Sequence, residues 1–429
     1  MKTFKYILFT FLVSILSINA QAPSPGEPQE STIVIKNITI HKGDGELIQN
    51  GSVVFENGLI ISVATGDASE IYEEAQVIDG KGQHLYPGFI LPDNNVGLVE
   101  VNAVKATIDS SEPTSISPNI RSIIAYNTDS EIIPTLRFNG ILLTQVVPSG
   151  GLISGQSSIV QLDAWNWEDA VVKMDEGIYM SWPMAMLPPR WWMNETKWRE
   201  NEDYDKNVVR IRSMFGDAQA YAAGTSDERN LKLDAMKGLF DGSKKIYVHA
   251  NRAKEIVSAI TFVKEKGIEN IVLVGGADAM YVSDFLKENN IPVILTDVHR
   301  LPMRPGADVF EPYKLASKLV NKGLKVALSY GGVANSRNLG FYAGTASAYG
   351  LGKEEALKLI TSNTAEILGL DKYGVIQVGK SATFFLSEGD ALDMSGNKIT
   401  HAFIDGRKVK LDAMQQELYQ KYKEKYNLN

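Results

Sequence analysis

The middle of this chain alternates between short, almost wholly apolar runs and amphipathic stretches, and that rhythm restricts its fold more than any other feature. "GILLTQVV", "KIYVHA", "NIVLVGG", "IPVILT" and "KVALSY" are strand-length and lack the polar alternation of a strand with one wet face. Between the later runs stand "NRAKEIVSAITFVKEKG", "DAMYVSDFLKENN" and "EPYKLASKLVNKG", each ending near Gly or Asn, the residues that accept a left-handed C-cap. A strand apolar on both faces must be covered on both, so strand, helix, strand at this spacing means parallel βαβ units. Either a closed (β/α) barrel or an open doubly wound sheet satisfies the pattern.

The flanks read differently. "STIVIKNITI" alternates, and Asn57-Gly58 between two apolar runs is a strong hairpin signal, so residues 31 to 86 form an antiparallel β unit. After "KEEALKLITSNTAEILGL", strands return in "GVIQVGKSATFFLSEG" and "NKITHAFIDGRKVKL", and a charged amphipathic helix over 413–429 closes the chain. The economical assembly is a β-sandwich built from residues 32–86 and 374–412 beside an α/β body over 87–373. Two connections escape the scheme, 102–130 and 164–205, and long insertions of this kind are lids, binding loops or interfaces. Within the second, the stretch "YMSWPMAMLPPRWWMNETKWRE" holds four of the chain's six tryptophans. It either presents an interface or folds its aromatics back onto the body.

At the N-terminus, Lys2 and Lys5 precede an apolar run from Tyr6 to Ile18, with Ala20 suited to cleavage: a signal peptide over 1–20. The polar, Pro-rich "QAPSPGEPQE" then gives a disordered spacer over 21–31. The expected product is exported, to the periplasm or exterior of a bacterium, with no transmembrane span in the mature chain. The chain of 429 residues has no cysteine, which removes disulfides, thiol catalysis and thiolate ligands together. Its formal charge of −8 becomes −10 without the two leader lysines, which argues against nucleic-acid binding.

Two motifs carry a resemblance. "VIDGKGQHLYPGFI" resembles the crossover from sandwich to first barrel strand in the amidohydrolase superfamily, and "EEALKLITSNTAEILGL" with "YGVIQVGKSATFFLS" resembles its closing signature. At this separation they cover about residues 32 to 411 and are specific, pointing to the imidazolonepropionase-like and prolidase-like branch. The resemblance implies a (β/α)8 TIM-type barrel with a composite β-sandwich. It also implies one or two divalent metals at the carboxyl ends of the strands, where a bound water loses its proton to a strand-end Asp and attacks a carbonyl.

The implied ligand positions are largely substituted. Where the family has His-x-His after Pro-Gly, this chain has Asp93 and Asn95. His249 in "KIYVHANRA" matches the family's ligand in setting and spacing. Gly275 and Gly276 stand at the next ligand position, and Ser329, Tyr330 and Gly331 where the catalytic Asp belongs. A bridging Lys or Glu on a middle strand is not assignable. Asp93, Asn95 and Asp297 offer oxygens, which suit calcium or magnesium more than zinc. His299 follows a barrel strand and is placed to approach the mouth, whereas His41, His84 and His401 fall in the β unit.

Each candidate also has a plain structural reading: Asp93-Asn94-Asn95 as turn chemistry, and His249 as an inherited residue satisfied by hydrogen bonding. Ser149, Gly150, Gly151 and Ser154 shape a pocket rim rather than a phosphate cradle, since no GK[ST] follows. Arg337, beside Asn338, either grips a carboxylate with its two-pronged donor or caps a helix. The site candidates are therefore Asp93, Asn95, His249, Gly275, Ser329 and Arg337, with Asp93, Asn95 and His249 as the metal-ligand candidates.

These residues point to an exported amidohydrolase-fold protein with a degenerate metal centre. It would bind a small-molecule ligand without catalysis, or pair with an active amidohydrolase paralogue or with itself. No cofactor is expected under this reading. The alternative is an active hydrolase of C–N bonds in cyclic amides or small peptides with a rearranged site, holding zinc or another divalent metal.

Overall fold

The computed structural model describes residues 24–224, 228–304 and 306–428. The signal-peptide assignment lies outside them. Residues 24–31, expected as a disordered spacer, have no regular secondary structure but are tied to the body. Gly26 N donates to Asp163 Oδ2 at 2.9 Å, and Gln29 bridges Phe55 O and Gly58 N at 3.0 Å each. Local composition missed this because the partners lie far along the chain.

The first sheet draws on both ends of the chain. Strands β1 (Ile33–His41), β2 (Leu47–Glu56), β3 (Leu59–Thr65), β4 (Gln76–Asp79) and β5 (His84–Pro87) come from the N-terminal part. Following the barrel strands numbered below, β16 (Phe384–Ser387), β17 (Ile399–Ile404) and β18 (Arg407–Lys408) come from the C-terminal part. The order is β18-β17-β16-β5-β1-β2-β3, with β4 also on β1. The sheet curls until Leu59 pairs with Ser381, enclosing Ile35, Val53, Phe55, Phe384 and Phe403. Asn57 and Gly58, at φ +50° and +79°, make the β2–β3 turn that the Asn-Gly pair predicts.

One residue carries the chain from this sheet into the next. Pro87 still pairs with Phe384, Gly88 N donates to Thr383 O at 3.0 Å, and Phe89 N donates to Gly140 O at 2.8 Å. A side chain at 88 would meet Leu142 at 2.9 Å, so the crossover needs glycine there.

The second sheet is the near-closed barrel: β6 (Phe89–Asn94), β7 (Ile141–Val146), β8 (Ile153–Gln161), β9 (Val171–Ser181), β12 (Lys245–Ala250), β13 (Ile271–Gly275), β14 (Val293–Leu295) and β15 (Val326–Leu328). The pair β10 (Met186–Leu187) and β11 (Arg199–Glu200) lies outside it. From β9 to β15 every pairing is parallel, and α5 (Ala253–Glu265), α6 (Ser283–Glu288) and α7 (Glu311–Asn321) form successive crossovers. Strand β8 runs antiparallel to both β7 and β9, so this half is a meander rather than a βα repeat. The seam between β15 and β6 is bridged by backbone: Leu328 N donates to Leu359 O and Ile90 N to Ile360 O, both at 2.9 Å.

The remaining helices are α1 (Ile133–Arg137), α2 (Trp167–Ala170), α3 (Tyr204–Ala222), α4 (Leu231–Phe240), α8 (Leu339–Ala348), α9 (Lys353–Lys358), α10 (Ser362–Leu368) and α11 (Met414–Lys425). The 102–130 connection lies along the barrel, with Ile116 bridging to Ile153 and Arg121 to Gln156. The Trp-rich insertion divides its aromatics. Trp182 is buried against Phe262 and Trp198 lies under the Arg252 guanidinium at 4.7 Å, while Trp192 is 65% exposed.

Candidate functional site

The carboxyl ends of the barrel strands surround a cavity of about 490 Å³, lined in part by Asp93, Asn95, Ser154, Tyr179, Ser181 and His249. Parallel pairing sets His249 level with Ser181 on one side and Val274 on the other, and side chains at one level share a face. His249 Nε2 lies 3.2 Å from Asp93 Oδ1. Burial opposes charge on the imidazole, but the Asp93 carboxylate more than offsets it, so the His249 pKa sits above the usual value.

Asp93 has a left-handed backbone, φ +49°, and neighbouring elements hold it there. Its N–H donates to Gln145 Oε1 at 3.0 Å, and the Ser329 hydroxyl donates to the carbonyls of Pro92 and Asp93 at 2.5 and 3.3 Å. Gln145 is oriented from below by Glu176, a buried acid on β9. Gln145 Nε2 and the Ser157 hydroxyl donate to Glu176 Oε1 at 2.6 Å each, and the Tyr247 hydroxyl to Oε2 at 2.9 Å. A carboxylate accepts only, so the amide must face Glu176 with its nitrogen. Its oxygen then points towards the mouth, where it also receives the Tyr179 hydroxyl at 2.8 Å. Tyr179 and Tyr247 stack at 4.6 Å, and burial pushes both phenols well above their ordinary pKa.

Of the sequence-level candidates, Asp93, Asn95 and His249 meet in this cavity; Ser149, Gly150 and Ser154 of the expected rim line its wall, and Gly151 does not. Gly275, Ser329 and Arg337 do not line it. Gly275 has φ +92° and a side chain there would meet Asn251 Oδ1 at 2.7 Å, so its role is backbone geometry. Ser329 is fully buried as a support for β6. Arg337 is exposed on the 3-10 turn Val333–Asn338. His299 turns away, with Nε2 2.6 Å from the Thr345 hydroxyl and its ring against Tyr342. Gly331 and Gly332 form wall where the family's catalytic Asp was sought. Asp297 stands behind that wall, its Oδ1 3.1 Å from where a Gly331 side chain would begin.

Sequence reasoning missed Tyr179, Ser181, Gln145 and Glu176. The available signal was Glu176 itself, an acid directly ahead of the apolar end "GIYM" of its strand.

The metal centre implied by the resemblance needs about three protein donors besides water. The mouth offers one imidazole and one carboxylate already paired with it, and among the described residues no group of three His, Cys, Asp or Glu side chains is disposed to hold a metal ion. The donor set does not fit that centre.

A model of the amidohydrolase family matches residues 222–409. A 5-methylthioadenosine/S-adenosylhomocysteine deaminase of Bacillus cereus (strain AH820) is 22% identical over 425 residues, covering 89% of this chain and 94% of the relative. Among solved structures, an amidohydrolase from Thermotoga maritima MSB8 superposes with a TM-score of 0.76 at 24% identity, covering 88% of this chain and 99% of that one. A prolidase complexed with N-methylphosphonate-L-proline superposes with a TM-score of 0.56 at 15% identity, covering 89% and 100%. These structural likenesses concern the fold.

Proposed function

We propose that this amidohydrolase-superfamily protein, distantly homologous to the methylthioadenosine/S-adenosylhomocysteine deaminases, binds a small polar ligand at the barrel mouth without metal-activated hydrolysis. The observation that carries the reading is the Asp93–His249 pair, braced from below and open to a cavity with too few donors for a metal–water centre. The bracing matters for binding, because a receptor ordered in advance loses less conformational freedom when its ligand arrives. Affiliation with the imidazolonepropionase-like and prolidase-like branch, and export beyond the inner membrane, belong to the same proposal.

Elemental analysis of protein purified without chelators, with hydrolysis assays on cyclic amides and dipeptides, tests it. We expect metal far below one equivalent and no turnover. The second reading, a C–N hydrolase with a rearranged centre, draws on His249 keeping the inherited ligand position. Stoichiometric zinc, manganese or iron, with turnover abolished by Asp93→Ala and His249→Ala, would establish it and overturn the first.

The partner-subunit role draws on the Trp-rich insertion. Met186 and Trp198 border an apolar hollow of about 390 Å³, with Trp192 exposed on the same insertion. A native-source pull-down that recovers only a monomer would remove that role and leave ligand binding standing.

A further inference from the structure

The charge of the mouth cavity selects among ligands. Among the described residues no Lys or Arg lines it. Arg300, from the loop after β14, is no exception: its Nη1 donates to Leu301 O at 3.1 Å and it does not line the space. Arg337, the sequence-level candidate for gripping a carboxylate, lies outside the lining as well. What the cavity holds instead is the Asp93 carboxylate, only 12% exposed and 3.2 Å from its partner His249, with Asp297 behind the Gly331 wall. Around Asp93 are the neutral side chains of Asn95, Ser154 and Ser181.

An anionic ligand would lose its hydration here and meet a carboxylate whose one basic neighbour, His249, is already paired with it. An ammonium or amidinium group gains a counter-ion that is already desolvated and held in place. The backbone adds a second reason. Asp93 is kept in a left-handed conformation by Gln145 and Ser329, and Glu176 orients Gln145, so the carboxylate is aimed by two layers of buried hydrogen bonds.

We propose that the mouth cavity takes a small ligand bearing a protonated amine and no anionic group, with Asp93 as its counter-ion. This deepens the ligand-binding reading above and rests on it. Asn95, Ser154 and Ser181 supply hydrogen bonds to the rest of the ligand, and the glycine walls at 150, 331 and 332 leave room for its body.

The test uses two matched triads that differ only in the terminal group: benzylamine, benzyl alcohol and benzoate, and pentylamine, pentanol and pentanoate. Binding is followed by titration calorimetry and by the shift in melting temperature. Each amine is expected to bind at least tenfold more tightly than its alcohol and carboxylate. Asp93→Asn, which tolerates the same backbone, is expected to weaken the amines tenfold or more and leave the alcohols unchanged. Asn95→Asp, a change at a partly exposed position that adds a second carboxylate, is expected to tighten them severalfold. Carboxylates or alcohols binding as well as amines, or amines indifferent to both substitutions, would overturn the charge assignment and leave ligand binding at the mouth intact. No binding by any member of either triad, with both variants melting as the parent does, would overturn the assignment and the ligand-binding reading together.

Discussion

Glu176 sits inside the barrel, where an apolar side chain is the rule, and three donors make its burial tolerable: Gln145, Ser157 and Tyr247. Removing the acceptor strands all three, and an unsatisfied buried donor costs more than a satisfied hydrogen bond contributes. Glu176→Ala is therefore expected to lose roughly 2–4 kcal/mol, read from the urea midpoint, whereas Tyr247→Phe, which removes one donor and keeps the ring, should lose about 1 kcal/mol. Asp93 behaves differently because its constraint lies in the backbone. Asn tolerates φ +49° and Val does not. Asp93→Asn should leave stability within about 0.5 kcal/mol of the parent, while Asp93→Val should lose about 1–3 kcal/mol in the same measurement. A large loss in Asp93→Asn would mean that the carboxylate holds the fold rather than serving the cavity.

Among the elements, strands and helices were legible wherever hydrophobic period alone decides them, as in β12 to β15 with α5 and α7. The antiparallel β8 was not, because a buried strand looks the same whichever way it runs. Its direction follows from the short β7–β8 and β8–β9 connections, which have no room for a crossover helix. Half of the site was legible for a related reason. Asp93 and His249 lie in recognisable motifs, but Ser181 reaches the mouth only through its register with His249, a pairing more than sixty residues apart. A third contact between elements was invisible for the same cause. His41 on β1 joins Glu354 on α9 at 2.7 Å and His84 on β5 at 2.9 Å, with Tyr86 stacked on its ring. Burial, then the neighbouring His41, holds the His84 pKa below the ordinary 6.5; Lys353 lowers it further, and Asp390 and Glu354 act in opposition. A depressed histidine favours the fold while neutral, so its contribution is present above about pH 6.5 and is lost as pH falls through the folded value. The urea midpoint should therefore drop on acidification from about pH 7, and His84→Gln should flatten that limb. His299 and His401, also depressed chiefly by burial, carry the same sign. His249, raised by Asp93, carries the opposite one and makes the limb shallower, so the effect of His84→Gln is read as the difference in slope from the parent. An unchanged slope in His84→Gln would show that this contact does not titrate across the transition.

For the whole molecule, the question is what fastens a curled sheet made from both chain ends to a barrel made from the middle. The Pro87–Gly88 crossover is one fastening; Asp163, just beyond β8, is another. It is buried between Arg137 of α1 at 2.7 Å and Arg407 of β18 at 3.4 Å, and it accepts from Gly26 N at 2.9 Å. Arg407 also donates to the Asp163 carbonyl at 2.9 Å. Barrel, composite sheet and N-terminal segment thus converge on one carboxylate. Replacing the whole group by apolar residues could leave stability unchanged, but removing the anion alone leaves two guanidinium groups in or near the interior without their counter-charge, a loss of about 3–5 kcal/mol. Asp163→Asn is expected to show that loss in the urea midpoint. It should also make the bond after Lys410 or Arg407 more accessible to trypsin under native conditions, since β18 loses its anchor to the barrel. Arg407→Met, which removes the more exposed cation and keeps the buried Arg137 pair, should lose much less. If Asp163→Asn and Arg407→Met fell equally, the stabilisation would lie in the link to β18, and the Arg137 pair would count for little in holding the two halves together.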